Sequence, residues 1–287
     1  AYKMTARKYL LFFFVFMICN KVAAQSIEDI FATVVYFETD SLQYKKINEQ
    51  LFEIWLKKPN SDEEMPLTNK IRGSGFFVTK NNRLFLVTAQ HVAESFNHST
   101  RITIRKGNDE PFILLLFAQK HNPKKQFKYS DDADVAVMEI FPDVKILEIL
   151  KGHFLPIETL NEKEEAPKRE KTLNIIGFPL GLGTEKKFSP ITSEVKPASG
   201  LLELLRFDNN KKCIFFLIDK PSVGGFSGAP VFDLAKPFSD MSGLIITGGP
   251  IKCVGLVHGT ISDDTGGKFG AIVPSFYIVK TINKFFE

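Results

Sequence analysis

The stretch Gly224-Gly225-Phe226-Ser227-Gly228-Ala229-Pro230 sets a serine between glycines, after the apolar run Cys213 to Ile218 and before Val231-Phe232. Glycines allow a tight turn and let backbone N–H groups come close to a neighbouring oxygen. A hydroxyl presented on such a turn, with amide donors beside it, is what a nucleophilic serine and its oxyanion hole require. Gly-x-Ser-Gly is also a common turn, so the rest of the chain has to supply a base, an orienting acid and a scaffold. Ser227 leads into a strand-like run. That separates it from esterases with a nucleophile elbow, in which the serine joins a strand to a helix and precedes its acid and histidine in the chain.

Outward from this stretch the chain reads as short apolar runs divided by turn residues. A first set comprises Thr33 to Phe37, Gly75 to Thr79, Leu84 to Thr88, Arg101 to Arg105, Phe112 to Ala118 and Val135 to Ile140. A break follows at Pro142, Gly152 and Pro156, then a charged connector from Glu158 to Lys171. A second set comprises Leu173 to Gly177, Ile191 to Val195 with a continuation toward Leu202, Cys213 to Ile218, Ala229 to Asp233, Cys253 to His258 and Phe269 to Val273. This pattern predicts an all-β fold of two six-stranded antiparallel β-barrels, about residues 30–150 and 170–275. Any site would sit in the cleft between them. Phe276, Ile278, Val279, Ile282 and Phe285 fall at helical spacing and predict a short C-terminal helix, about residues 275–286, docked on the second barrel. The polar stretch 38–70 reads as an inserted surface loop. Its Leu51, Phe52, Ile54, Trp55 and Leu56 leave helix and hairpin both open.

The first residues carry Lys3, Arg7 and Lys8 ahead of the apolar run Leu10 to Ile18, and Val22-Ala23-Ala24 offers small residues for cleavage. This is the pattern of a cleaved secretory signal over 1–24, too short in its apolar part for an anchor. The expectation is a secreted or periplasmic protein with no stable membrane anchor. Cleavage after Ala24 would remove Lys3, Arg7, Lys8 and Lys21 and leave 33 basic residues, equal to the 33 acidic ones. With no net basic excess, nothing points to nucleic acid as a partner. Cys213 and Cys253 would be the remaining cysteines, either as one disulfide or as two buried thiols, and neither belongs to a metal-ligand pattern. No metal and no cofactor is expected.

A serine hydroxyl needs a base to take its proton, and histidine titrates in the right range. His91 ends the run Leu84-Phe85-Leu86-Val87-Thr88-Ala89-Gln90, at a strand's end. His98, His121 and His153 sit in polar contexts and read as exposed. Asp131, Asp132 and Asp134 precede Val135-Ala136-Val137-Met138, and Asp134 abuts the alternating run that would draw it inward. A carboxylate so placed could orient the imidazole and stabilise its charged form.

Taken in order, His91, Asp134 and Ser227 resemble the triad of the trypsin-like serine proteases, closest to the bacterial HtrA (Deg) branch. Gly73-Ser74-Gly75-Phe76-Phe77-Val78 with Val87-Thr88-Ala89-Gln90-His91-Val92 is similar to that branch's histidine region, and Asp134-Val135-Ala136-Val137 to its aspartate motif. Ile175-Ile176-Gly177-Phe178-Pro179-Leu180-Gly181 resembles the start of its second barrel, and Phe269-Gly270-Ala271-Ile272-Val273-Pro274-Ser275 its final strand. The resemblance covers the protease domain alone, with no PDZ module expected after it. It implies a serine endopeptidase acting on protein or peptide through an acyl-enzyme. His91 would be the general base and acid, Asp134 its orienting carboxylate and Ser227 the nucleophile, with the backbone N–H groups of Gly225 and Ser227 as the oxyanion hole. It also implies departures. Phe226 stands where zymogen-type relatives carry an acid that pairs with a freed N-terminus. Pro221 stands at the base of the primary pocket where cleavage after Lys or Arg needs an acid. Ser222, His258 and Gly259 would complete that pocket; His258 reads either as a structural strand histidine or as a recogniser of acidic side chains. A catalytically silent domain of this fold, serving as a binding or regulatory module, is the competing reading.

Overall fold

Residues 27–47, 50–57, 64–117, 123–234, 238–239, 245–246 and 249–287 are described by the computed structural model. The expected signal segment, residues 1–24, and His121 lie outside them. The described chain opens with a short helix, α1 (Ile27–Thr33), whose first turn carries Glu28 and Asp29, the charges that a helix N-terminus favours. It buries Ile30, Ala32 and Thr33 and hands over to β1 (Val34–Leu42).

β1 pairs antiparallel with β2 (Thr68–Lys80) without a break from Val34↔Phe76 to Leu42↔Thr68. The insertion is therefore an outward extension of the barrel wall as a ribbon. Its described part continues as two short strand pairs, Tyr44–Ile47 with Gln50–Glu53 and Trp55–Lys57 with Glu64–Pro66, and not as a helix. The ladder holds both ends of the insertion in register. Cross-strand charges reinforce it: Glu38 accepts from Lys70 at 2.5 Å and from Arg101 at 2.9 Å.

β2 turns into β3 (Arg83–Thr88) through Asn81-Asn82, both in the left-handed region (φ 48° and 61°). Positive φ at both central residues gives the tight turn that matches strand twist. Helix α2 (Gln90–Glu94), β4 (Arg101–Lys106), β5 (Glu110–Leu115), β6 (Lys128–Tyr129), β7 (Ala136–Glu139) and β8 (Leu155–Pro156) complete the first unit. Its sheet runs β6-β7-β3-β2-β1-β4-β5, with β8 added parallel to β2.

The second unit consists of β9 (Leu173–Gly177), β10 (Ile191–Val195), β11 (Pro197–Leu205), β12 (Lys212–Ile218), β13 (Pro230–Asp233), β14 (Lys252–Ser262) and β15 (Lys268–Pro274), in the order β10-β9-β13-β14-β15-β12-β11. The second strand of the predicted set is broken at Lys196 into β10 and β11, so it serves both ends of the sheet. The molecule is thus mostly strand, in two antiparallel sheets of the two-barrel kind, closed by a C-terminal helix. Leu173, Ile175, Phe216, Ile218, Val231, Val257 and Ile272 form a core of the second unit.

The C-terminal helix, α3 (Ser275–Asn283), buries Tyr277, Ile278, Val279, Thr281 and Ile282. It lies against β14 of the second unit, as the spacing predicts, and also against β7 of the first. Arg83 extends that second contact, gripping Glu139 with both arms and donating to the Phe285 carbonyl. Cys213 and Cys253 are two buried free thiols. His153, read as exposed from its polar context, is buried: its ring nitrogens meet the carbonyls of Lys151 and Arg105.

Candidate active site

The pairing of β7 with β3 fixes the first two side chains. Ala136 pairs with Thr88, and continuing that antiparallel register brings Asp134 beside Gln90, where the chain leaves β3 and enters α2. The helix then turns His91 back toward Asp134. His91 N–H donates to Asp134 Oδ1 at 3.0 Å, and its ring Nδ1 lies 2.7 Å from Oδ2. The carboxylate is fully buried, whereas the His91 side chain keeps 15% of its surface exposed. Burial alone would push the Asp134 carboxyl up. The charge and hydrogen bonds of His91 and His258 outweigh it and hold the group well below the usual carboxylate range.

His258 comes to the same carboxylate from the second unit. The pairing of β14 with β15 slips between Val257 and Gly259, so His258 occupies a β-bulge, which re-aims a side chain out of strand alternation. Its Nδ1 sits 2.5 Å from Asp134 Oδ2. The ring is fully buried, packed against Phe215 and Phe207 with centroids 4.8 and 4.5 Å away. Nε2 has no partner among the described residues. His258 therefore faces the carboxylate and does not line an open pocket.

A fourth group meets Asp134 that the sequence pattern did not reveal. Arg206, at the turn between β11 and β12, is fully buried, with one terminal nitrogen 3.0 Å from Asp134 Oδ1. The guanidinium also grips Asp208 with both arms (2.9 and 2.6 Å) and donates to Gln90 Oε1 at 2.7 Å. Burial opposes its charge, but the two carboxylates more than offset that and raise its pKa further. Next along the turn, Phe207 places its ring 5.1 Å from the His91 ring. It occupies the space above Gly259, where an added Cβ would come within 2.5 Å of it.

The glycine-rich stretch is a type II turn. Phe226 N–H donates to the Val223 carbonyl at 3.0 Å and Gly225 has φ 99°, the positive value that type II requires at its third residue. The Gly224 carbonyl accepts from Leu180 N–H at 2.7 Å. Because a trans peptide sets its C=O and N–H opposite one another, Gly225 N–H points to the other side of the loop. Among the described residues neither Gly225 N–H nor Ser227 N–H has a backbone acceptor. The flanking glycines are obligatory: a Cβ at Gly225 would lie 2.5 Å from the Phe178 carbonyl, and one at Gly228 (φ 83°) 2.2 Å from that of Ser74.

Ser74 of β2 ties this loop to the first unit. Its N–H donates to the Ser227 carbonyl (2.8 Å), and its hydroxyl donates to the Gly225 carbonyl (2.7 Å) while accepting from Phe178 N–H (3.0 Å). Phe226 buries its ring in the core of the second unit. Ser227 Oγ donates to the His258 carbonyl at 3.1 Å and, among the described residues, makes no hydrogen bond to the His91 ring.

Of the residues expected at the primary pocket, Pro221 is exposed and Ser222 half-buried. Thr260 straps Ser222 from both sides, its hydroxyl accepting from Ser222 N–H (2.9 Å) and donating to the Ser222 carbonyl (3.0 Å). His91, Asp134 and His258 cluster closely enough to be tested as metal ligands. They meet one another through hydrogen bonds on a shared carboxylate oxygen with the Arg206 cation beside it. In that packing both Nδ1 atoms are already engaged by the carboxylate.

The comparisons agree with this architecture. The trypsin-like peptidase domain family matches residues 73–236, more than half of the chain. A search of curated proteins gives no match. Among solved structures the chain is similar to the HtrA-type protease AlgW with a decapeptide (TM-score 0.52, 13% identity, 92% of this chain and 67% of that one). It is similar also to an alanine variant of AlgW with a decapeptide (TM-score 0.51, 13% identity, 91% and 65%). The chain thus spans about two thirds of the length of those structures, and at such identity the likeness is one of fold. Among the described residues no helix is long and apolar enough to cross a membrane. With the matched region running from the Gly73 strand through the Ser227 loop, the chain belongs to the trypsin-like peptidase domain family.

Proposed function

We propose that this protein is a serine endopeptidase in which His91, Asp134 and Ser227 carry out acyl transfer. The observation that carries the reading is the buried Asp134 carboxylate holding both the backbone N–H and the ring Nδ1 of His91. An imidazole fixed through Nδ1 offers Nε2 as the base. In the reaction Ser227 Oγ attacks the scissile carbonyl carbon as His91 takes its proton, and the oxyanion is received by Gly225 and Ser227 N–H. The C–N bond breaks as His91 returns the proton to the leaving amine. Water then attacks the acyl-enzyme by the same route and releases the acid. The type II turn supports the oxyanion role, because among the described residues both N–H groups are without backbone acceptors. A secreted or periplasmic location belongs to the same proposal and rests on the N-terminal sequence pattern.

The competing reading, a silent binding module, draws on one observation: Ser227 hydrogen-bonds to the His258 carbonyl rather than to His91. Free enzymes often tighten such contacts only with substrate bound, so the experiment must follow chemistry. The wild-type protein labels with a fluorophosphonate and cleaves members of a peptide library, and Ser227→Ala abolishes labelling while lowering kcat by about 10⁶-fold. A folded wild-type protein that neither labels nor cleaves overturns the endopeptidase reading and leaves the binding module.

A further inference from the structure

We infer that the turn between β11 and β12 supplies a charge-balanced clamp on Asp134: Arg206 holds the carboxylate and Asp208 cancels the charge that Arg206 brings. The inference rests on the endopeptidase reading and adds to it two positioning residues. An Arg206 cation 3.0 Å from Asp134, taken alone, would neutralise the anion that has to stabilise the imidazolium of His91. Asp208 prevents this. Its two-armed grip, at 2.9 and 2.6 Å, gives Arg206 a counter-ion of its own. The buried Arg206 and Asp134, with Asp208 at the rim, therefore carry one net negative charge, which a proton on His91 brings to zero. Arg206 meanwhile occupies Oδ1, the oxygen remote from the two imidazole Nδ1 atoms, and reaches Gln90, the residue before His91.

All groups facing His91 enter this balance. Asp134 touches it directly, and across the shared carboxylate stand His258 and Arg206. Asp208 lies behind Arg206, and the Cys213 thiol lies within electrostatic reach of Arg206, Asp134 and the Lys211 ammonium. From the helix of His91 itself, Glu94 meets the site through a hydrogen bond from Gln90 at 2.7 Å. The Cys213 thiol is pushed up by burial and stays uncharged in the working range. Asp208 is thus the acid whose removal leaves Arg206 uncompensated.

A double-mutant cycle tests the clamp. Asp208→Asn moves the acid limb of the kcat/KM profile to lower pH, because the uncompensated Arg206 opposes a proton on His91, and lowers the plateau about tenfold. Arg206→Met moves the limb to higher pH. The pair Arg206→Met/Asp208→Asn closes the cycle by removing both charges together. In it the limb returns near its wild-type position, while kcat stays about 10–100-fold down because Asp134 has lost a restraint. The same ring is followed by ¹⁵N NMR titration of His91 in the Ser227→Ala background, which needs no turnover and separates failure of the clamp from failure of the protease reading. Limbs or titrations that stay put in all three variants, or shift in one common direction, overturn the clamp. Opposite shifts that cancel in the double variant support it.

Discussion

Gly225 shows how little freedom one residue has in this site. Its φ of 99° is costly for any side chain, and the Phe178 carbonyl and Leu180 N–H stand 2.5 and 2.9 Å from where a Cβ would go. Gly225→Ala therefore rebuilds the turn, and its N–H no longer points where the oxyanion forms. The expected result is a fall in kcat of about 10²–10³-fold with a smaller change in KM, the signature of losing one oxyanion donor. Steady-state kinetics on a variant checked for folding decides it; an unchanged kcat would remove Gly225 from the oxyanion hole. Phe226 explains how the turn keeps its shape with no acid at that position. Its buried ring gives the loop an apolar anchor in the core of the second unit.

At the scale of elements, the site is assembled by the meeting of β2 with the Ser227 loop, and Ser74 is the stitch. Ser74→Ala leaves the Gly225 carbonyl without its hydroxyl donor and Phe178 N–H without its acceptor, both buried, at a cost of about 1–3 kcal/mol in stability. Because the orphaned carbonyl belongs to the turn proposed to receive the oxyanion, kcat is expected to fall along with the melting temperature. Gly225→Ala and Ser74→Ala act on the same turn, so their effects on kcat combine less than additively; additive losses would show that Ser74 acts elsewhere. Ser74, Arg206 and Asp208 mark the boundary of what the sequence made legible. His91, Asp134 and Ser227 each sit beside a local signal: a strand end, an alternating run, a glycine-flanked turn. Asp208-Asn209-Asn210 reads only as turn residues, since the meaning of Arg206 arises from an ion pair to a residue 72 positions earlier in the chain. His258 was visible as a residue but not as a role. Strict strand alternation cannot anticipate the bulge that turns it onto Asp134.

For the whole molecule, one buried carboxylate joins both units, since Asp134 from the first is held by His258 and Arg206 from the second. Its charge is therefore part of what keeps the two halves together. In the unfolded chain such a group titrates near pH 4, and in the folded protein its pKa is well below that. A depressed folded pKa contributes stability that is fully present above the unfolded value and is lost as pH falls through the folded one. Acidification from about pH 5 downward should thus lower the melting temperature of the Ser227→Ala protein, which is free of self-cleavage. Other acids contribute to that slope, so the informative quantity is a difference. In Asp134→Asn/Ser227→Ala the melting temperature is lower at pH 7, and the gap to Ser227→Ala narrows as the pH drops below about 4. Calorimetry at a series of pH values reads the gap directly. A gap that stays constant to pH 3 would mean that the Asp134 charge does not stabilise the fold, and that the two units are held at this point by shape and apolar contact alone.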